Sequence, residues 1–422
     1  VDDSRNPTRL KGAIRALSHP HFRIYFFGML ISFTGTWMQG VAQSWLVYKL
    51  TRSAWLLGLV GFVSQMPLFL LTPLGGVMAD RHSRHRIVLA TQAASMVQAS
   101  ALAALTLSGK VTFEAILVLA LLLGLVNAFD MPARQAMMGE LVSSEDLTNA
   151  IALNSSAINM ARLAGPALAG FFVDWFGEGV CFLLNALSYL IVIIGLLSIR
   201  AGDPPSRDRS SALRSFREGL DYVLGSGPIR SVLALVALVS LFGLSYMVLM
   251  PIFASKVLNG GPRALGTLMS SAGVGSLAAA LWLAARPSAV GLGSIVGKAA
   301  AAAGLLLIAF SQSRNLLLST ALMIPIGFSL MMQMAGSNTL LQSLVPDRMR
   351  GRIISFYSMS LMGMTPFGSL LAGALAARIG APNTVALGGT VCLAAALAFL
   401  LKLPKLEGQL KAEPDLSEQP PY

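Results

Sequence analysis

Charges set into or against apolar sequence are the residues of this chain best equipped for chemistry. Gly76-Val77-Met78-Ala79 ends one long apolar stretch, and Asp80-Arg81-His82-Ser83-Arg84-His85-Arg86 joins it to the next. An acid at the foot of a membrane helix, followed by a tight turn carrying cations, can grip a neighbouring helix end in one conformation and release it in another. Asp130 sits deeper, seven residues before Met137, about 10 Å from the end of its stretch at ~1.5 Å per helical residue. A carboxylate at that depth is costly unless paired. Arg162 follows Thr148 by fourteen positions, about 20 Å along a helix axis, which puts a cation near the middle of a bilayer. Either it reaches toward Asp130, or it faces a cavity and attracts an anionic group of a ligand. The pair is favoured, because an unpaired central arginine is costly.

Neutral hydrogen-bonding candidates for a cavity are Gln39, Gln43, Asn127, Asn154, Asn159, Tyr246, Gln333 and Asn338. Around them stand Trp37, Trp45, Phe242, Met247, Met331, Met332, Met334, Met359 and Met362. Flexible thioethers and aromatic rings suit a bulky apolar ligand, although ordinary helix packing uses the same residues.

The elements that must position these groups follow from composition. Of 422 residues, 55% are hydrophobic and 12% charged, with a mean hydropathy of +0.69. A water-soluble chain carries about a quarter charged residues, so the bilayer is the solvent for most of this surface. A spanning helix needs about 20 apolar residues, and twelve such stretches are expected: 22–48, 55–79, 87–107, 112–137, 148–173, 179–199, 229–257, 264–285, 291–311, 316–342, 352–376 and 383–403. The polar, basic residues before the first stretch read as carrying no cleavable signal.

A formal charge of +12 invites a polyanionic partner, but the cations cluster on alternate turns. With the N-terminus placed in the cytoplasm, the inner side receives Arg5, Arg9, Lys11, Arg15, Arg23, Arg81, Arg84 and Arg86, then Arg200, Arg207, Arg209, Arg214, Arg217 and Arg230. This positive-inside pattern puts both termini in the cytoplasm and removes the need for nucleic acid. Cys181 and Cys392 fall at or within apolar stretches and read as buried small residues, and His82 and His85 read as solvated, so no metal or cofactor is expected. An intramembrane enzyme would need a nucleophile with its base, an H-E-x-x-H or paired intramembrane aspartates, and a receptor would need a sizeable extramembrane domain. None of these patterns is visible.

The expected organisation is a six-helix bundle over 1–199, a cytoplasmic linker over 200–228, a second bundle over 229–403 and a tail over 404–422. Within the linker Leu213, Phe216, Leu220, Val223 and Leu224 recur at helical spacing, which suits a helix lying along the inner leaflet. Shifting the chain by 203 positions aligns Leu141-Val142 with Leu344-Val345, Ile151 with Ile354, Gly165 with Gly368, Gly170 with Gly373 and Gly177 with Gly380. Duplicated bundles leave such traces. At that shift Leu283 stands opposite Asp80 with only Arg286 nearby, so the charged turn is one-sided. Its counterpart is sought at Asp347, Arg348, Arg350 and Arg352.

The spacing G-x-x-x-D-R-x-x-R at Gly76–Arg84 resembles the loop between the second and third helices of the major facilitator superfamily, with Ser83 in place of a second glycine. Gly35 through Trp45-Leu46-Val47-Tyr48 to Thr51-Arg52-Ser53, Pro132-Ala133-Arg134-Gln135-Ala136, Ala161 to Gly170 and Pro346 to Arg352 are similar to the branch of siderophore exporters and macrolide efflux pumps. The resemblance implies an all-α membrane fold of twelve helices in two pseudo-symmetric six-helix bundles. It implies a monomeric, proton-coupled exporter of a lipophilic or siderophore-like molecule in the bacterial plasma membrane, in contact with lipids. Transport of a lipid or lysolipid is the alternative. The matching arginine of the family pairs with an acid on the fourth helix, so Asp80, Arg84 and Asp130 are expected to form an electrostatic latch, with Arg81 and Arg134 beside them in gating and coupling. Gly165, Pro166 and Gly170 resemble the superfamily's exporter hinge, with Ala169 replacing one glycine. Gly368 and Gly373 are the equivalents in the eleventh stretch, with Pro366 two residues before Gly368.

Overall fold

A computed structural model of the chain describes residues 15–199, 212–286 and 290–412. The basic clusters at Arg5, Arg9 and Lys11 and at Arg200, Arg207 and Arg209 lie outside these residues, as does most of the tail. Among the described residues there is no strand.

The first six stretches become α1 (Pro20–Thr51), α2 (Ala54–Arg81), α3 (Arg84–Leu107), α4 (Phe113–Leu141), α5 (Leu147–Phe176) and α6 (Glu178–Leu197). Pro20 opens α1, where its missing N–H costs no helical bond. The side chains of Ser53 and Thr112 accept hydrogen bonds from Leu56 N and Ala115 N, and so cap α2 and α4. The linker contributes the amphipathic α7 (Ala212–Gly225). The seventh stretch is α8 (Gly227–Leu238), a π-turn at Val239–Gly243, α9 (Tyr246–Ile252) and a second π-turn at Phe253–Val257. Pro251, inside α9, has no amide to donate, and past it the chain closes a wider turn, Leu258 N to Phe253 O. There follow α10 (Pro262–Ala284), α11 (Leu292–Gln312), α12 (Leu316–Leu344), α13 (Asp347–Met362), α14 (Met364–Ile379) and α15 (Ala381–Ala412). The eleventh stretch runs on through Gly363, which keeps helical angles (φ −71°, ψ −29°) and donates its N–H to Met359 O where α13 gives way to α14.

Eleven of the twelve expected stretches are long and apolar enough to cross a membrane. The exception is α1, whose 32 residues suffice in length but include Ser32, Thr34, Thr36, Gln39, Gln43 and Ser44. Its polar groups turn inward, with Ser32 and Gln39 buried, while Ile24, Phe27 and Ile31 are exposed. Such inverted sidedness recurs along the chain, for Leu197 is 67% and Leu317 78% exposed. It suits a chain solvated by lipid.

The chain divides into two compact units, one of Val1–Asp208 with Val248–Gly273 and one of Arg209–Met247 with Val274–Tyr422. In the first, α1 packs on α5 and α6, α2 on α4, and α3 on α4 and α6. Phe22, Tyr25, Met29, Val88, Met137 and Leu196 build a buried cluster near the start of α1. In the second, α11 packs on α12 and α15, and α7 rests on α13, with Arg352 Nη1 2.6 Å from Glu218 Oε2.

The sequence repeat has a backbone counterpart. Gly177 (φ 83°, ψ 170°) and Gly380 (φ 83°, ψ 156°) end α5 and α14 in the same conformation, one that is essentially reserved for glycine. Gly165 lies against α1, where a Cβ would come within 2.5 Å of Trp37 Cβ. Its partner in the repeat, Gly368, lies against Leu241 O and Ser245 of the seventh stretch.

Candidate functional site

The turn between α2 and α3 is built around Arg84. Its side chain is 9% exposed and spans two helix C-termini, where the dipole favours a cation. Its Nε donates to Ala79 O of α2 (3.3 Å), and its Nη1 donates to Ala136 O (3.4 Å) and Glu140 Oε1 (2.9 Å) of α4. Asp80 Oδ1 lies 3.8 Å from Nη2, with the Asp80 side chain 60% exposed. The acid gripped on the fourth helix is therefore Glu140, not Asp130. Glu140 lies beyond the expected end of that stretch, but α4 continues to Leu141 and brings it one helical turn past Ala136. Extending the helix in the sequence would have found it. All these partners belong to the first unit, and Arg81 is exposed.

Asp130 sits in a separate, buried network. Its Oδ1 accepts from Thr91 Oγ1 (2.8 Å) and Gln92 Nε2 (3.0 Å) of α3. Its Oδ2 pairs with Arg134 Nη2 at 3.3 Å, one turn along the same helix. The paired cation is Arg134 rather than Arg162: an i,i+4 neighbour meets Asp130 without crossing between helices. Arg134 also lies 4.8 Å from the Phe33 ring centroid, and Arg162 lies 5.4 Å from that of Trp37. Two buried oxygens close to the pair, Tyr25 OH and Gln92 Oε1, make no hydrogen bond among the described residues. Nothing in the spacing of Tyr25, Thr91 and Gln92 announced this network, because it is assembled from three helices.

The neutral candidates divide. Gln39 is a structural amide: Asn185 Nδ2 donates to its Oε1 (2.8 Å), and its Nε2 donates to Gln98 Oε1 (3.1 Å), which ties α6, α1 and α3 together. Gln43 and Asn127 meet in a cavity of about 300 Å³ between α1, α2 and α4, lined also by Thr36, Gln39, Ser64 and Gln65. Asn159 folds back on Ser155 O, and Asn154 is half-buried on α5. In the second unit Tyr246 is buried, Gln333 donates to Ser337 Oγ at 3.4 Å, and Asn338 accepts from Gln342.

The small residues of α5 face α10. A Cβ on Gly266 would stand 2.6 Å from Pro166 O and 2.7 Å from Gly170 Cα, and one on Gly273 would stand 2.8 Å from Leu163 Cα. Beyond this contact Arg263 Nε meets Asp174 Oδ2 at 2.6 Å and the guanidinium lies over Trp175. Pro366 and Gly373 are buried on α14.

Near the start of α1, Asp146 Oδ2 meets His19 Nε2 at 2.9 Å, and Asp146 Oδ1 meets Arg15 Nε at 2.7 Å. The His19 hydrogen bond first, and then the Arg15 charge, hold this carboxyl below the usual range against the burial that pushes it up.

A family model described as "Transmembrane secretion effector" matches residues 11–421. The chain belongs to this family of the major facilitator superfamily. Among its relatives, the "Staphyloferrin A transporter" of Staphylococcus aureus is 26% identical over 91% of this chain and 97% of its own length. "Enterobactin exporter EntS" of Shigella boydii is 25% identical over 95% of this chain and 96% of its own. A crystal structure of a peptide transporter, POT, superposes with a TM-score of 0.73 at 12% identity, covering 92% of this chain and 95% of that one. A bacterial homologue of the human lysosomal transporter Spinster, inward-facing and unoccupied, gives 0.67 at 13%, covering 93% and 96%. The fold is that of the superfamily, and the protein is a multi-pass membrane transporter of small molecules rather than an enzyme.

Proposed function

We propose that this transporter is a proton-coupled exporter of a siderophore-like or other lipophilic small molecule, working by alternating access in the bacterial plasma membrane. The buried Asp130–Arg134 pair carries the proposal. Asp130 is a buried carboxylate paired with a cation, and the Tyr25 hydroxyl and the Gln92 carbonyl make no hydrogen bond among the described residues. Protonation of Asp130 cancels its attraction for Arg134 and frees the α4 cation, so that binding and loss of one proton can drive two arrangements of the helix. Two relatives, a staphyloferrin A transporter and an enterobactin exporter, support this class of cargo, and the second supports the outward direction.

In this reading the duplicated bundles, 1–199 and 229–403, rock about the cargo as a monomer among lipids, with both termini in the cytoplasm. Arg84, Asp80 and Glu140 form the inner clamp, and Gly165, Pro166 and Gly170, with Pro366, Gly368 and Gly373, give the hinges. The test is accumulation in proteoliposomes under an imposed pH gradient. Asp130→Asn is expected to abolish gradient-driven flux while leaving cargo binding in place. Wild-type accumulation by that variant would refute the assignment.

A further inference from the structure

We propose that the cavity between α1, α2 and α4 is a recognition pocket for an uncharged group carrying both hydrogen-bond donors and acceptors, such as a carboxamide or hydroxamate. The proposal rests on the transport reading and names part of its cargo. The volume of about 300 Å³ is the room of roughly ten water molecules at ~30 Å³ each, enough for one substituent of a larger molecule.

The lining is largely apolar, with uncharged polar side chains set into it. Among the described residues no Asp, Glu, Lys, Arg or His borders the cavity. Several of its polar groups are already engaged: Thr36 Oγ1 donates to Ser32 O, Ser64 Oγ to Gly61 O, and Gln39 is held on both sides by Asn185 and Gln98. Gln43 and Asn127 are different. Both are half-buried, both line the cavity, and neither amide makes a hydrogen bond among the described residues. Gln65 uses its Nε2 on Gly61 O, so its carbonyl oxygen remains available. Two complete amides and a spare acceptor can satisfy a group that both gives and takes hydrogen bonds. Leu57, Val60 and Leu123 supply apolar contact.

A carboxylate has no such match here. Entering this space, it exchanges hydration for neutral amides with no countercharge, and burying an unpaired charge is heavily penalised. Discrimination follows from the site's chemistry as much as from its shape, since sites built to hydrogen-bond one group reject an analogue that leaves them badly paired.

Gly40 makes the assignment testable without damage to the fold. It lines the cavity, and a Cβ built on it meets nothing within 4 Å, so the leucine of Gly40→Leu starts from open space, on a helix that tolerates leucine better than glycine. The experiment uses the purified full chain in detergent, with a linear trihydroxamate and the tricarboxylate of the same skeleton as probes. Their affinities are read by titration calorimetry, and gradient-driven flux of each is read in proteoliposomes. The trihydroxamate is expected to bind at least tenfold more tightly. Gln43→Leu and Asn127→Leu are each expected to weaken it about tenfold, and Gly40→Leu to abolish its binding with Tm unchanged. Equal or tighter binding of the tricarboxylate, full binding by Gly40→Leu, or no binding of either probe would overturn the pocket. Tight trihydroxamate binding without gradient-driven flux would instead leave the pocket standing and refute the export reading.

Discussion

Replacing Arg134 by glutamine should strand the buried carboxylate of Asp130. The Asp130 side chain is 3% exposed and would keep only two neutral donors, Thr91 Oγ1 and Gln92 Nε2. Removing one partner of a buried pair costs about 3 to 5 kcal/mol. Arg134 itself is 21% exposed, and hydrogen bonds to a charged group contribute about 1.5 to 3 kcal/mol each, so the lower end applies, ~3 kcal/mol. Asp130→Asn alone should cost less, about 1 kcal/mol, because a partly exposed guanidinium over Phe33 retains water and the ring. Added to Arg134→Gln, it removes the stranded charge and should restore about 2 kcal/mol, a coupling large enough for a double-mutant cycle. Unfolding of the four proteins is followed by heat and by denaturant in detergent. The same cycle run with Arg162→Gln tests the pairing that helix spacing alone suggested. Undiminished stability of Arg134→Gln, or rescue by Asp130→Asn in the Arg162 cycle but not in the Arg134 cycle, would refute the argument.

At the α2–α3 turn, Glu140→Gln should open the clamp more than Asp80→Asn does. The Glu140 contact is 2.9 Å from a buried guanidinium, whereas Asp80 is 60% exposed at 3.8 Å, a pair worth about 1 kcal/mol at most. Cysteine labelling near Arg81 and flux in the same variants rank the two, and an equal or reversed order contradicts the geometry. Gly177→Ala and Gly380→Ala should each destabilise by roughly 1 to 3 kcal/mol, the strain of a side chain in that backbone region, and unchanged Tm in both would show that the turns relax. The N-terminal turn Arg15–Ser18 should respond to acid: because the Asp146 pKa is lowered, its contribution is fully present above the ordinary carboxylate value of ~3.9 and is lost as pH falls through the depressed value. A fluorophore on Ser18→Cys should report undocking only in strong acid in the wild type and at neutral pH in Asp146→Asn, and identical profiles would remove the carboxylate from the anchor.

The sequence by itself determined the solvent, the spans and the repeat. Bilayer burial acts on every residue of a span, so 55% hydrophobic content and runs of about 20 apolar residues record it locally. Gly177 and Gly380 were legible for a similar reason, since a backbone angle open chiefly to glycine constrains the residue at its own position. The partners of the charges on other helices were decided only by tertiary structure. Asp130 was visible as a buried acid and its i,i+4 spacing to Arg134 stood in the sequence, whereas whether Arg84 or Arg162 on other helices met it depended on the rotation of α4 about its axis, of which composition carries no record. Glu140 at Arg84, Arg263 at Asp174 and the Asn185–Gln39–Gln98 amides likewise join residues far apart in the chain. Hydropathy fixes which residues leave water, whereas pairing is fixed by which helix faces meet. Gln39 and Gln43 show the difference within one turn of α1: the same residue type is locked between helices at the first position and left facing a cavity at the second.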